Sequence, residues 1–335
     1  MVSFGLLGSG VNRPIEGRYL TSLIINANGN WFLFDSPENV QVQLQRYYGS
    51  MNLDGIFLTG LRPDTAFGLP GLLTTLDWLS SDNPELSEID LYIPEVNGGR
   101  ECIKKVTDLG NSNVTIHEVG RREEVLNTDE YTISTFPTNS GGKGPTIGYR
   151  CQEEEQKGRF DREKAEELGI PAGPKFSELH EGNPVELEDG RTIQPNQVVG
   201  SPRPGRSLAY TGATEYLEKI PEGVREVDIL FIDGGSSTRR TEKKISGHMN
   251  AYEAGTVAGA ADASVVVLTH VRRVYNESYS PLVEEITEAY DGPYLIGEDG
   301  IKGTIGSHDN NEDVSTLDDV LVELKGHRSV KDFPD

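Results

Sequence analysis

The chain has 335 residues, 54 of them acidic and 31 basic, for a formal net charge of −23 at pH 7. That length supports a substantial core, with about three quarters of the unfolded surface withdrawn from water, while the charge argues against the broad basic face that nucleic-acid binders use for non-specific affinity. Two cysteines far apart in sequence, Cys102 and Cys151, exclude a disulfide scaffold and a thiolate zinc site.

Taken in chain order, Val2 to Leu7 alternates as a strand and ends in Gly8-Ser9-Gly10. Ser22–Asn26 and Trp31–Asp35 read as a hairpin around Asn28-Gly29-Asn30. Asp35-Ser36-Pro37-Glu38 then opens a helix, Val40 to Tyr47, with Pro37 suited to a first turn and Glu38 complementing the positive helix end. A short buried strand at Ile56-Phe57-Leu58 runs into a polar loop, Thr59 to Thr65. A Gly/Pro turn at Gly68-Leu69-Pro70-Gly71 leads to a helix from near Leu72. Polar loops at the carboxyl ends of buried strands are where α/β proteins place chemistry.

These segments resemble the ribonuclease Z family, tRNA 3′-processing endonucleases of the metallo-β-lactamase superfamily. The family's opening, Leu-Gly-Thr-Gly followed by Asp-Cys-Gly-Glu-Gly-Thr-Gln, is matched at Leu7, Gly8, Gly10, Asp35, Glu38, Gln41 and Leu44. Its loop Thr-His-x-His-x-Asp-His, followed by Gly-Leu-Pro-Gly-Leu, is matched in frame at Thr59-Gly60-Leu61-Arg62-Pro63-Asp64-Thr65 and at Gly68 to Leu72. One carboxylate survives there and three histidines do not.

Further along, strands are expected at Asp90–Ile93, Val114–Glu118 and Tyr131–Phe136, and a helix at Gly98–Leu109. From about 150 to 206 the chain turns polar and rich in Gly, Pro and Glu. Lys164-Ala165 and Leu168-Gly169-Ile170-Pro171-Ala172-Gly173-Pro174 resemble a phrase of the protruding substrate arm that generic metallo-β-lactamase hydrolases lack. In the family that arm is basic and grips the tRNA elbow. Here Gln152 to Gly200 holds twelve acidic residues against six basic ones, a balance of −6. A carboxylate-rich surface keeps a protein hydrated in a high-salt cytoplasm, so a haloarchaeal source is expected. At about 1 M salt a Debye length of about 3 Å would screen most repulsion of RNA.

Strands at Ser207–Tyr210, Asp228–Ile232 and Ser264–Leu268 end in Thr211-Gly212-Ala213-Thr214, Asp233-Gly234-Gly235 and Thr269-His270-Val271. His248 precedes an Ala/Gly-patterned helix, Asn250–Ala261, and residues from Ser307 read as an acidic appendage with one short helix, Leu317–Leu324. Met1 to Arg13 lacks the basic start and apolar stretch of a secretory signal, and the most apolar run, Ala263–Leu268, is too short to span a bilayer. A soluble, cytoplasmic protein with no membrane association is expected.

The resemblance implies a four-layer αβ/βα sandwich, the metallo-β-lactamase fold, over residues 1–306, with an inserted arm at 150–206 and the appendage at 307–335. It implies a homodimer and, as chemistry, a dinuclear metal site for phosphodiester hydrolysis. Carried over position by position, the first-metal ligands fall on Gly60, Arg62, Ser140 and Ala213, and the second-metal ligands on Asp64, Thr65, Ala213 and His270. Gly60 and Ala213 have no donor atom, Arg62 carries a fixed positive charge, and Ser140 and Thr65 are poor neutral ligands. Asp64 and His270 remain, fewer than the three or four protein ligands of an ordinary zinc site. No metal cofactor is expected, with weakly held Zn or Mn on Asp64 and His270 as the alternative. Arg62 is expected to bridge to Asp64 where the ion would sit. Asp64, His248 and His270, the family's proton-transfer and ligand positions, are then vestigial. The expected protein is a degenerate relative without the usual tRNA cleavage that keeps an RNA-binding or regulatory role. A residual or altered metal-dependent hydrolase or nuclease acting on RNA, and a structural dimerisation partner, are the alternatives. Arg239, Arg240, Lys243, Lys244, Arg272 and Arg273 form two small basic clusters suited to phosphate or RNA.

Overall fold

The computed structural model describes residues 2–15, 17–49, 52–80, 88–108, 113–142, 144–239, 245–306 and 320–323. In its first half run β1 (Val2–Gly8), β2 (Ser22–Ala27), β3 (Asn30–Phe34), α1 (Val40–Tyr48), β4 (Gly55–Phe57), α2 (Pro63–Ala66), α3 (Leu69–Ser80), β5 (Glu88–Pro94), α4 (Gly99–Thr107) and β6 (Asn113–Val119). The second half opens with β7 (Glu124–Asn127), β8 (Tyr131–Thr138) and β9 (Thr146–Glu153). An insertion follows, with α5 (Arg162–Glu167), α6 (Pro174–Glu181), β10 (Val185–Glu186) and β11 (Thr192–Ile193). Then come β12 (Ser207–Tyr210), α7 (Ile220–Gly223), β13 (Ile229–Asp233), α8 (Ala251–Ala261), β14 (Val265–Thr269), α9 (Ser280–Ala289) and β15 (Tyr294–Ile296). The chain returns to the first sheet with β16 (Lys302–Ile305) and β17 (Val320–Glu323).

Among the described residues, eight strands form one mixed sheet, in the order β17-β16-β1-β2-β3-β4-β5-β6, and seven form the other, β15-β14-β13-β12-β9-β8-β7. Strands covered on both faces read as near-continuous apolar runs, and β13 (Ile-Leu-Phe-Ile-Asp) and β14 (Val-Val-Val-Leu-Thr) are buried at every position, each ending in one polar residue at the rim. The sheets meet face to face through an aromatic layer that includes Phe4, Phe34, Phe57, Tyr149, Tyr210 and Phe231. Phe34 stacks on Phe57 at 5.1 Å, and Phe4 meets Phe231 edge-on at 5.2 Å. On the outer face of the first sheet, Leu44 of α1, Leu72 and Leu73 of α3 and Ile103 of α4 close a second core. On the outer face of the second, Ile220 of α7, Val257 of α8 and Ile286 of α9 close a third. The result is the expected four-layer sandwich, with its helices outside and its sheets inside.

The structure revises several sequence expectations. Val320–Glu323, inside the expected helix Leu317–Leu324, is a strand paired antiparallel with β16, Lys302 opposite Glu323. The apolar run Val320-Leu321-Val322 is too short for periodicity to separate strand from helix, and pairing with the edge of β16 decides between them. The rest of that segment lies outside the described residues. Arg150 to Glu153, where the composition begins to change, still belong to β9, which pairs with β8 and β12. The insertion beyond them has its own small core of Ala165, Ile170, Leu179, Val185, Leu187 and Ile193. Helix α3 begins at Leu69, and Gly68 is seated where a Cβ would lie 1.9 Å from the Pro37 carbonyl oxygen.

Candidate active site

One rim of the sandwich gathers the ends of β1, β4, β8, β12, β13 and β14. The loops there are locked by backbone pairs: Val271 N donates to Ser9 O (2.8 Å), Arg272 N to Gly235 O (3.0 Å) and Ile147 N to Thr59 O (2.9 Å). A buried carboxylate, Asp35, stitches the two sheets beneath this rim. It accepts from Thr59 N (2.8 Å), from Thr59 Oγ1 (2.9 Å to Oδ2) and from Tyr210 OH (2.9 Å). Burial pushes its carboxyl up to about 7, against the three hydrogen bonds, which pull it down. Asp35 also holds φ at 60° and His270 at 57°. Left-handed backbone at non-glycine residues is uncommon, and both sit at this rim.

The expected Arg62–Asp64 pair is present. Arg62 Nε donates to Asp64 Oδ1 at 2.9 Å, and Nη2 meets Oδ2 to complete a bidentate contact. The two side chains are only 22% and 23% exposed. Burial alone would lower the pKa of Arg62, but Asp64, and after it Asp35 and Asp233, raise it overall. Thr65 is spent on the backbone: its hydroxyl donates to Gly60 O (2.5 Å) and accepts from Arg62 N (3.1 Å). Gly60 and Ala213 offer no side-chain donor. Ser140 is buried, and its hydroxyl finds no hydrogen-bond partner among the described residues.

His248 and His270 face one another with ring centroids 5.6 Å apart. His248 Nδ1 lies 2.7 Å from Asp233 Oδ2, which also accepts from Thr214 N at 2.9 Å. Burial disfavours the imidazolium of His248, and the Asp233 carboxylate more than offsets this, so its pKa stands above the ordinary value. His270 is driven down to about 3, chiefly by burial, with Arg62 and His248 adding to the effect and Asp233 opposing it. It is a neutral imidazole near neutral pH. Asp233, which sets the ring of His248, was not singled out from the sequence, where it reads as the end of a strand. The signal available was an acidic residue closing a fully buried β run.

A bidentate guanidinium covers the one carboxylate on the loop after β4, and Gly60, Thr65 and Ala213 supply no free donor. Among the described residues no group of three or more His, Cys, Asp or Glu side chains is disposed to hold an ion. The basic clusters separate as well. Arg239 is held by Glu284 and Glu288 on α9, while Arg240, Lys243 and Lys244 lie outside the described residues. Arg272 and Arg273 line a cavity of about 430 Å³ together with Arg13 and Arg18. Arg13 also lines the neighbouring cleft of about 730 Å³, which holds Arg62, Asp64 and His248. No helix among the described residues is long and apolar enough to cross a membrane.

No family model matches the chain. It is 37% identical over 301 residues to the ribonuclease Z of Haloferax volcanii, covering 88% of this chain and 92% of that protein. It is 38% identical over 312 residues to the ribonuclease Z of Haloarcula marismortui, covering 91% and 97%. Among solved structures it resembles the metallo-β-lactamase fold protein YhfI of Bacillus subtilis, with a TM-score of 0.63 at 14% identity over 90% of this chain and 98% of that one. The short form of human tRNase Z gives a TM-score of 0.61 at 19% identity, covering 90% and 99%. At these identities the two structures establish the fold.

Proposed function

The chain belongs to the ribonuclease Z family, and we propose that it is a member which no longer hydrolyses RNA by two-metal chemistry but still receives RNA at its rim. The observation that carries this reading is the bidentate Arg62–Asp64 pair, which brings a fixed cation to the carboxylate that a metal would need. Two-metal hydrolysis requires ions held a few ångström apart by many ligands, one of them shared. Asp64 and His270 alone would leave an ion mostly in water. Without metal-bound hydroxide, Asp64, His248 and His270 have no activated water to serve, and His248 turns instead to Asp233.

RNA enters this reading from the relatives, whose shared name is that of a ribonuclease and one of which is a tRNase. On the same reading the insertion between β9 and β12 is the substrate arm, although its charge leaves little attraction for phosphate at low salt. We also propose a homodimer in the cytoplasm. The neighbouring helices α1 and α3 carry Val42, Trp78 and Leu79 at 49%, 76% and 41% exposure, apolar surface that a partner subunit would cover. The test is a precursor tRNA with a 3′ trailer, incubated at multimolar KCl with zinc or manganese. The expected result is uncut RNA that nonetheless shifts on a native gel. Metal-dependent release of the trailer would overturn the reading.

A further inference from the structure

In a chain with 54 acidic and 31 basic residues, four arginines around one space is a departure that asks for a cause. Arg13, Arg18, Arg272 and Arg273 line the 430 Å³ cavity, with Glu277 as its acidic member. The backbone explains the convergence. Gly10 bridges Val271, and Val271 N donates to Ser9 O, so the loop after β1 and the loop after β14 run side by side. Arg18 is structural: it is 3% exposed and donates to Ser9 Oγ, Gly297 O, Asn276 Oδ1 and Tyr279 OH, fixing the floor. Arg13 and Arg273 are exposed on the wall, and neither side chain has a hydrogen bond or ion pair among the described residues. Asn12 and Arg13 line this cavity and also the adjoining 730 Å³ cleft, where Arg62 stands with Asp64, Glu38 and His248.

The volume falls in the range of small-ligand sites, about 300–1,000 Å³. Several guanidinium forks around one space suit an oxyanion with several oxygens, because each fork can offer parallel N–H donors. We propose that the joined cavities form a phosphate-binding site in which Arg13 and Arg273 grip the anion directly, with Arg62 as the cation on the inner wall. This deepens the reading above and rests on it in one respect: no metal ion is needed to hold the phosphate. The phosphate could belong to an RNA strand or to a free mononucleotide, and both present the same chemistry to the arginines.

The test uses the full chain, freed of divalent ions with a chelator and kept at constant KCl. Inorganic phosphate is titrated calorimetrically, and a fluorescein-labelled oligouridylate is titrated by anisotropy. The wild type is compared with Arg13→Gln/Arg273→Gln and with Arg13→Lys/Arg273→Lys, and a melting curve verifies the fold of each. The expected result is saturable phosphate binding that weakens about tenfold or more in the glutamine pair and less in the lysine pair. Competition between phosphate and oligouridylate would assign the site to RNA; phosphate binding without competition would assign it to a small phosphate compound. Absence of saturable phosphate binding, or equal affinity in the wild type and the glutamine pair, would overturn the proposal. Oligouridylate binding that competes with phosphate yet is unchanged by the glutamine pair would overturn it while leaving RNA reception intact. Phosphate binding that appears only after zinc or manganese is restored would defeat both.

Discussion

Removing the guanidinium that faces Asp64 is the perturbation with the clearest arithmetic. In Arg62→Ala a bidentate pair disappears whose side chains are 22% and 23% exposed. A hydrogen bond to a charged group contributes about 1.5–3 kcal/mol, and partial solvent access together with non-additivity keeps the pair near about 2–3 kcal/mol. Asp35 and Asp233 also lose a positive neighbour, which acts in the same direction. With an unfolding entropy of about 2.1 cal/mol/K per residue, a chain of 335 residues changes by roughly 0.7 kcal/mol per kelvin, so the melting temperature should fall by about 3–4 °C. Differential scanning fluorimetry with and without zinc reads both halves of the argument. Zinc should not restore the loss, because Asp64 and His270 still amount to two ligands. A variant as stable as the wild type, or one that zinc carries well above it, would refute the reasoning.

Asp35→Asn should flatten a pH dependence. The folded carboxyl holds its proton up to about 7, whereas the unfolded one releases it near about 3.9. Stability contributed by the protonated form is therefore present at acid pH and lost as pH rises through that window, by up to about 4 kcal/mol; urea midpoints from acid to neutral pH should show the slope in the wild type and lose it in the variant, and identical slopes would count against it. Gly68→Ala sets a Cβ 1.9 Å from Pro37 O and 2.8 Å from Ser36 O, so it should cost more than about 3 kcal/mol; a melting temperature equal to the wild type would show that the backbone gives way freely. Glu285 is buried and accepts from Ser237 Oγ (2.9 Å), Thr238 N (2.8 Å), Thr238 Oγ1 (2.8 Å) and Arg239 N (3.3 Å). Glu285→Ala should cost about 3–5 kcal/mol and speed amide exchange at Thr238 and Arg239; unchanged protection there would mean that α9 does not hold this loop.

The rim was legible in the sequence because each of its polar loops follows a run of buried apolar residues: Thr59 after Ile56 to Leu58, Asp233 after Ile229 to Ile232, and His270 after Val265 to Leu268. The Arg62–Asp64 contact was legible because the residues are two apart on one turn. The pairing of Asp233 with His248 was not, since the two stand 15 residues apart and no helical or strand period links them. Nor was the convergence of Arg13 and Arg273 on one cavity, which the bridge between Gly10 and Val271 brings about across most of the chain. The terminal strand β17 shows the limit of periodicity: four residues fit a strand and a helix turn equally, and an open sheet edge far away in sequence decides.

The most direct measurement is the metal content of the purified chain after equilibration with zinc and manganese and removal of free ions, read by mass spectrometry of the ashed protein. The account predicts far less than one ion per chain, because the guanidinium of Arg62 already sits on the carboxylate an ion would need. Two tightly held ions per chain would contradict it.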